Sequence, residues 1–297
     1  QSAPAPSVER PAPVLRVLRR DEFERGLVGG KSWHIRAMAE KLSGRVRTPR
    51  SVALPFGVYD AVLLDKANEA AARRIAALAG KVKEAPETTL AALRETILEL
   101  HVPEALLEEL ARALQAEGFA AGQASHRSSL NSDPSKRGAG TPVPSDVVAQ
   151  RIKQVWASLW NDRAWFSREA TGFPHESASM AVLIQEVVPA EYAFVVHTVN
   201  PATGNRHELY VEIVQGLGET LVGNYPGRAM SFVVDKASRQ VTVTAYPSKS
   251  VALRGGGLIF RSDSNAEDLE GYAGAGLYDS VLLEPAREER VDTTQDP

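Results

Sequence analysis

The hydrophobic period changes once along this chain, and that change limits what it can fold into. Across residues 59–114 apolar side chains recur every three to four positions: Ala61, Leu64, Ala67 and Ala71, then Leu90, Leu93, Ile97 and Leu100, then Leu106 or Leu107, Leu110 and Leu114. Such spacing lines one face of a helix, and Pro103 and the 80–86 region break the pattern into short helices. From residue 180 onward the period is that of strands, in runs over 180–188, 193–199, 208–214, 230–234, 240–246, 258–261 and 277–283, with turn formers between them. A further short strand is predicted over 51–54, between Pro49 and Pro55. Helices first and strands later predict an α+β fold.

Four regions follow from this. Residues 1–22 read as a linker, because the first thirteen are rich in Pro, Ala and Ser; the start at Gln1 rather than Met reads as a fragment. Residues 23–122 form a largely helical first subdomain. Residues 123–146 are a polar insertion or mobile loop with almost no apolar residue. Residues 147–297 hold a helix and then the strands. Ser145 is placed to cap that helix, whose stripe is Val148, Ile152, Val155 and Leu159, with Trp156 and Trp160 packed beside it.

Composition narrows the chemistry. The chain of 297 residues carries a net charge of −3, which argues against nucleic-acid binding, since a polyanion partner needs a basic surface. It has no cysteine, so thiolate catalysis and Cys-ligated metals are excluded. No apolar run approaches the roughly 20 residues of a membrane helix. The six histidines form no compact metal-ligand set, and no metal-ligating residues are assigned. His197 alternates with Val195 and Val199, which predicts a core or pocket-wall position.

Two segments carry candidate chemistry. Gly29, Gly30 and Lys31 open a helix: the glycines allow backbone amides to approach an anion, the helix terminus favours negative charge, and Lys31 adds a mobile cation. The spacing is not that of a P-loop, because position 25 is Arg, and taken alone an ordinary turn accounts for it. The second segment, FRSDSNAEDLEGYAGAGLYDS, puts Arg261 at a strand end, where its planar fork suits phosphate, followed by Gly271, Gly274 and Gly276. Its acidic group, Asp263, Glu267, Asp268 and Glu270, can cap a helix, neutralise Arg261 or assist a magnesium nucleotide. In EIVQGLGETLVG, Gly216 and Gly218 predict close backbone packing, and Glu219 is a candidate ribose or metal contact.

Taken together, VGGKSWHIRAMAEKL, TPRSVALPFGVYDAVL, MAVLIQEVVPAEYAFVVHTVNPATG, ELYVEIVQGLGETLVGNYPGRAMSFV and IFRSDSNAEDLEGYAGAGLYDSV closely resemble the nucleotide-binding domain of the alpha-glucan water dikinases. More distantly they resemble the ATP-grasp domains of phosphoenolpyruvate synthase and pyruvate phosphate dikinase, in which the segment like IFRSDSNAEDLEG comes early rather than after QGLGE. The resemblance implies a two-lobed ATP-grasp fold, incomplete at the C-terminus because the chain stops at DTTQDP before the family's acidic metal ligands. It implies ATP and Mg²⁺ as cofactors, and Lys31 and Arg261 as the catalytic, phosphate-contacting residues. Gly29, Gly30, Gln185, Glu186, Val188, Glu219, Gly271, Gly274 and Gly276 complete the implied nucleotide contacts, with the 185–188 segment running past the adenine. It further implies transfer to starch-like glucan through a phosphohistidine in another domain of the same polypeptide, glucan contacts outside this chain, and a plastid location. The chain alone is then expected to be inactive. A dikinase acting on phosphoglucan or a small keto acid stays open as an alternative, as does a non-catalytic glucan-binding module using Trp156 and Trp160.

Overall fold

The computed structural model describes residues 11–119, 144–223, 225–269, 272–273 and 276–291. The chain divides into two compact units, Gln1–Glu186 with Leu258–Leu283, and Val187–Gly257 with Glu284–Pro297.

The first unit is built on an antiparallel sheet in the order β1 (Leu18–Arg19), β2 (Ser51–Leu54), β3 (Met180–Glu186), β9 (Leu258–Ser264), β12 (Ser280–Leu282). β3 and β9 are central strands, and both read as continuous burial because the sheet is covered on two faces. One face carries Val52, Leu54, Val182, Ile184 and Phe260 into the main core. Helices α4 (Pro86–Leu98), α5 (Glu104–Ala116) and α6 (Ser145–Ala157) contribute Leu90, Leu93, Ile97, Leu106, Leu110, Ile152 and Val155 to the same core. Burying each such side chain stabilises the fold by about 1.5–3 kcal/mol. The opposite face carries Ala53 and Leu183 against Ile35 of α1 (Gly30–Lys41), with Leu18, Phe23 and Val28.

The remaining helices are α2 (Val58–Leu63), α3 (Glu69–Ala79) and α7 (Asp162–Thr171). Pro86 stands at the start of α4, where its missing N–H costs nothing. Trp156 is buried against Tyr59, and Trp160 packs at the core margin, as their spacing predicts. Ser145 is the first residue of α6 rather than its cap, with Pro144 ahead of it.

The second unit contains an antiparallel meander of β4 (Tyr192–His197), β5 (Glu208–Gln215), β6 (Met230–Asp235) and β7 (Val241–Ala245). A separate pair joins β8 (Val251–Arg254) to β13 (Arg287–Arg290). Neither of these two is anticipated above: β8 follows an irregular Pro-Ser-Lys-Ser stretch, and Arg287–Arg290 has no apolar alternation because all four residues are exposed. His197 is exposed beside Tyr210 rather than in a core, because β4 is an edge strand. Two short strands, β10 (Asp268–Leu269) and β11 (Tyr272–Ala273), pair with each other.

The division of the chain at residues 122 and 147 is not that of the compact units. Helices α6 and α7 and strands β3, β9 and β12 belong with the helical first part, because β9 pairs with β3 over seven residues and completes its sheet. The polar segment's residues 120–143 lie outside those described.

Candidate functional site

α1 starts where β9 ends, and a single buried carboxylate joins them. Strand alternation puts Ile259, Arg261 and Asp263 on the face of β9 that α1 partly covers. Asp263 Oδ2 accepts from the backbone N–H of Gly29 at 3.0 Å and of Ser32 at 3.3 Å, and Oδ1 accepts from the N–H of Lys31 at 2.9 Å. These are first-turn amides that have no partner within the helix, so Asp263 acts as an N-cap supplied from 234 residues away. Burial pushes its carboxyl above the ordinary range, opposed by the nearby Lys31 charge and amides.

Gly29 owes its identity to this contact. A Cβ there would stand 2.5 Å from Asp263 Oδ1 and 2.6 Å from its backbone oxygen. The Gly29 amide, expected to face a bound anion, here donates to a side chain of the protein. Gly216, in the second unit, is of the same kind, since a Cβ on it would lie 2.3 Å from the Leu253 carbonyl oxygen.

Lys31 rises from the first turn of α1 and its Nζ pairs with Glu267. The lysine side chain is 25% exposed and the glutamate 7%. Arg261 lies two residues before Asp263 on the same strand face, about 7 Å along it. Its guanidinium donates to Gln185 Oε1 at 3.1 Å. Lys31 and Arg261, assigned from separate segments, are linked through Asp263: the Lys31 amide donates to its carboxyl, and Arg261 stands two residues before it on β9. Of the acidic group, Asp263 caps a helix and Glu267 pairs with Lys31; the side chains of Asp268 and Glu270 lie outside the described residues. Among the described residues, no group of three or more His, Asp or Glu side chains is placed to hold a metal ion.

Gln185 is buried, with its side chain turned onto the protein. Glu186, the last residue of β3, is gripped by Arg50: Nε donates to Oε2 at 3.0 Å and an Nη to Oε1 at 2.6 Å. That pairing holds the Glu186 carboxyl below its usual range. Arg50 also reaches the Gly118 carbonyl and lies over the Phe119 ring. Val188 is 55% exposed and Glu219 is the first residue of α8 (Glu219–Val222), both in the second unit. Gly276 is described, with a left-handed φ of 78° and open space around it, whereas Gly271 and Gly274 lie outside the described residues. Sequence reasoning passed over Arg25, whose guanidinium sits 4.0 Å above the Trp33 ring. Both line a cavity of about 330 Å³ with Gly29, Gly30, His34 and Asn265.

Residues 25–256 match the family model described as the pyruvate phosphate dikinase, AMP/ATP-binding domain. The chain belongs to this family. The chloroplastic alpha-glucan water dikinase of Citrus reticulata is 44% identical over 285 residues, 93% of this chain and 18% of that protein. Alpha-glucan water dikinase 2 of Arabidopsis thaliana is 44% identical over 288 residues, covering 95% of this chain and 21% of that protein. A phosphoenolpyruvate synthase of Pyrococcus furiosus is 30% identical over 172 residues, 54% of this chain and 21% of that protein. The chain spans about a fifth of the length of these relatives. The family match holds Lys31, Gln185 and Glu219 and ends before Arg261, whereas the coverage by the glucan dikinases extends through Arg261 and Glu267. Trp156, buried in this domain's core, is withdrawn from any sugar-stacking role.

Proposed function

We propose that this chain is the ATP-binding part of an alpha-glucan, water dikinase, with the two-lobed ATP-grasp architecture of that family. The observation that carries the reading is the match to an AMP/ATP-binding family, and it is supported by Lys31 at the start of α1 and Arg261 on β9, whose segments meet at Asp263. Their work is electrostatic. Phosphoryl transfer spreads negative charge over the oxygens of the moving group, and two fixed cations offset it with little reorganisation. Lys31 supplies a point charge with three donors, of which Glu267 takes one. Arg261 supplies a planar fork with donors left for phosphate oxygens. The rigidity of both comes from the framework: Asp263 locks the start of α1, and β9 is paired on both sides.

In the longer protein, ATP would yield AMP, with one phosphoryl group passing through a phosphohistidine in another domain to a glucosyl hydroxyl and the other to water. Glu219 and Val188 of the second unit and the Gly271 to Gly276 series belong to the same proposal as nucleotide contacts. So do the glucan partner and a plastid location, which the chloroplastic relatives support. Mg²⁺ belongs to it as the usual counter-ion of ATP. The described carboxylates beside Lys31 are engaged with α1 and with Lys31 itself and do not assemble a metal site, so no step is assigned to the ion.

Calorimetric titration of the chain with MgATP and AMP tests the reading. Arg261→Ala should weaken MgATP by at least about tenfold, the scale of one charge-assisted hydrogen bond, and AMP by less. Unchanged MgATP affinity in that variant would remove Arg261 from the phosphate site.

A further inference from the structure

The polar row across β2, β3 and β9 is directional, and its direction says what Gln185 does. Register places Ser51 opposite Gln185, and Gln185 on the same sheet face as Arg261, which is opposite Leu183. The Ser51 hydroxyl donates to the Pro49 carbonyl at 3.0 Å. A hydroxyl has one proton, so with that proton committed Ser51 Oγ can only accept from its other neighbour. It accepts from Gln185 Nε2 at 3.3 Å. With the amide nitrogen fixed on Ser51, the amide oxygen must point the other way, and there it accepts from an Arg261 Nη at 3.1 Å. Ser51 and Gln185 are both buried, so neither can exchange these partners for water.

We propose that Gln185 is a positioning residue for Arg261, with Ser51 setting the amide's orientation, and that its side chain is not a base contact. The inference rests on the phosphate role of Arg261 only for its effect on nucleotide affinity. One of the five guanidinium N–H groups is spent on Gln185, and this fixes the plane in which the remaining donors are offered. A guanidinium free to rotate would lose that ordering at each binding event.

The test pairs two nucleotide ligands with one ligand-free readout on the full chain. Gln185→Met keeps the bulk of the side chain and removes the acceptor. It should weaken MgATP about tenfold and leave adenosine unchanged, and Arg261→Ala with Gln185→Met should bind no more weakly than Arg261→Ala alone. Equal loss of adenosine and MgATP, or additive losses in the double variant, would overturn the proposal in favour of a base contact. Nitrogen-15 spectra of the guanidinium give the separate readout. Arg261 should show hindered rotation in the parent chain, fast rotation in Gln185→Met, and hindered rotation again in Gln185→Glu, which restores an acceptor oxygen. Unaltered rotation in Gln185→Met overturns the proposal even if Arg261 proves irrelevant to ATP. Should Gln185→Met fail to fold, Ser51→Ala carries the same comparison, with a smaller change of the same sign expected.

Discussion

Lys31→Met is the obvious variant for testing a phosphate-binding lysine, and the structure says that it does two things at once. It removes a candidate ligand contact, and it withdraws a cation from Glu267, whose side chain is 7% exposed. Taking one partner from a fully buried ion pair costs about 3–5 kcal/mol, because the other charge stays in a poor solvent. Lys31 is 25% exposed, so water reaches the pair, and Glu267 has a further interaction of its own; about 1–2 kcal/mol is the expected cost here. Glu267→Gln should cost about 1 kcal/mol, and the double variant, with neither charge present, should cost far less than the two single changes combined. All four tryptophans, Trp33, Trp156, Trp160 and Trp165, belong to the first unit, so urea unfolding followed by tryptophan fluorescence reports on the unit that contains the pair. The binding experiment then separates the two effects. Stability should recover in the Lys31→Met, Glu267→Gln double variant while MgATP binding stays weak. Additive destabilisation would refute the electrostatic coupling; recovery of binding together with stability would refute the phosphate contact.

Two other expectations follow from contacts already described. Gly29→Ala forces a methyl group to within van der Waals overlap of Asp263 and its backbone, and should destabilise the first unit by about 1–3 kcal/mol or more, measured by the same urea transition. Glu186 has a folded-state pKa depressed by Arg50, so its contribution is present above the ordinary carboxylate pKa of about 4.5 and is lost as the pH falls through the depressed value. Stability measured against pH should therefore decline below about 4.5 in the parent chain, and Glu186→Gln should flatten that part of the curve.

The helices of the first part were legible because their apolar stripes are long and interrupted by proline, and β2 because Pro49 and Pro55 fence it. β3 to β7 were legible from alternation or apolar runs. β13 was not, because an exposed strand of Arg and Glu has no hydrophobic period to read. At the site, residue chemistry pointed to Lys31 and Arg261, and the fold joins the ends of their two segments through Asp263. What the sequence could not reveal was the work done by their neighbours. Asp263 reads as one acid among four in a polar loop, yet it lies at the end of a central strand and holds a helix start. Gly29 reads as an anion-loop glycine, and its crowding against Asp263 is visible only once a segment far along the chain has folded back. Gln185 lies in the segment that the family resemblance runs past the adenine; only the hydrogen-bond direction across three strands turns its side chain toward Arg261.

The Asp263 cap also sets an order of events during synthesis. Gly29 leaves the ribosome 234 residues before its partner, and the whole of Val187–Gly257 is translated in between. At ordinary elongation rates of about 5–20 residues per second, the start of α1 waits roughly 12–47 seconds for its carboxylate. In the last part of that interval, between Glu186 and Leu258, β3 has an unpaired edge for roughly 4–14 seconds, because its neighbour β9 has not yet been made. Shortening the inserted unit would shorten that period in proportion.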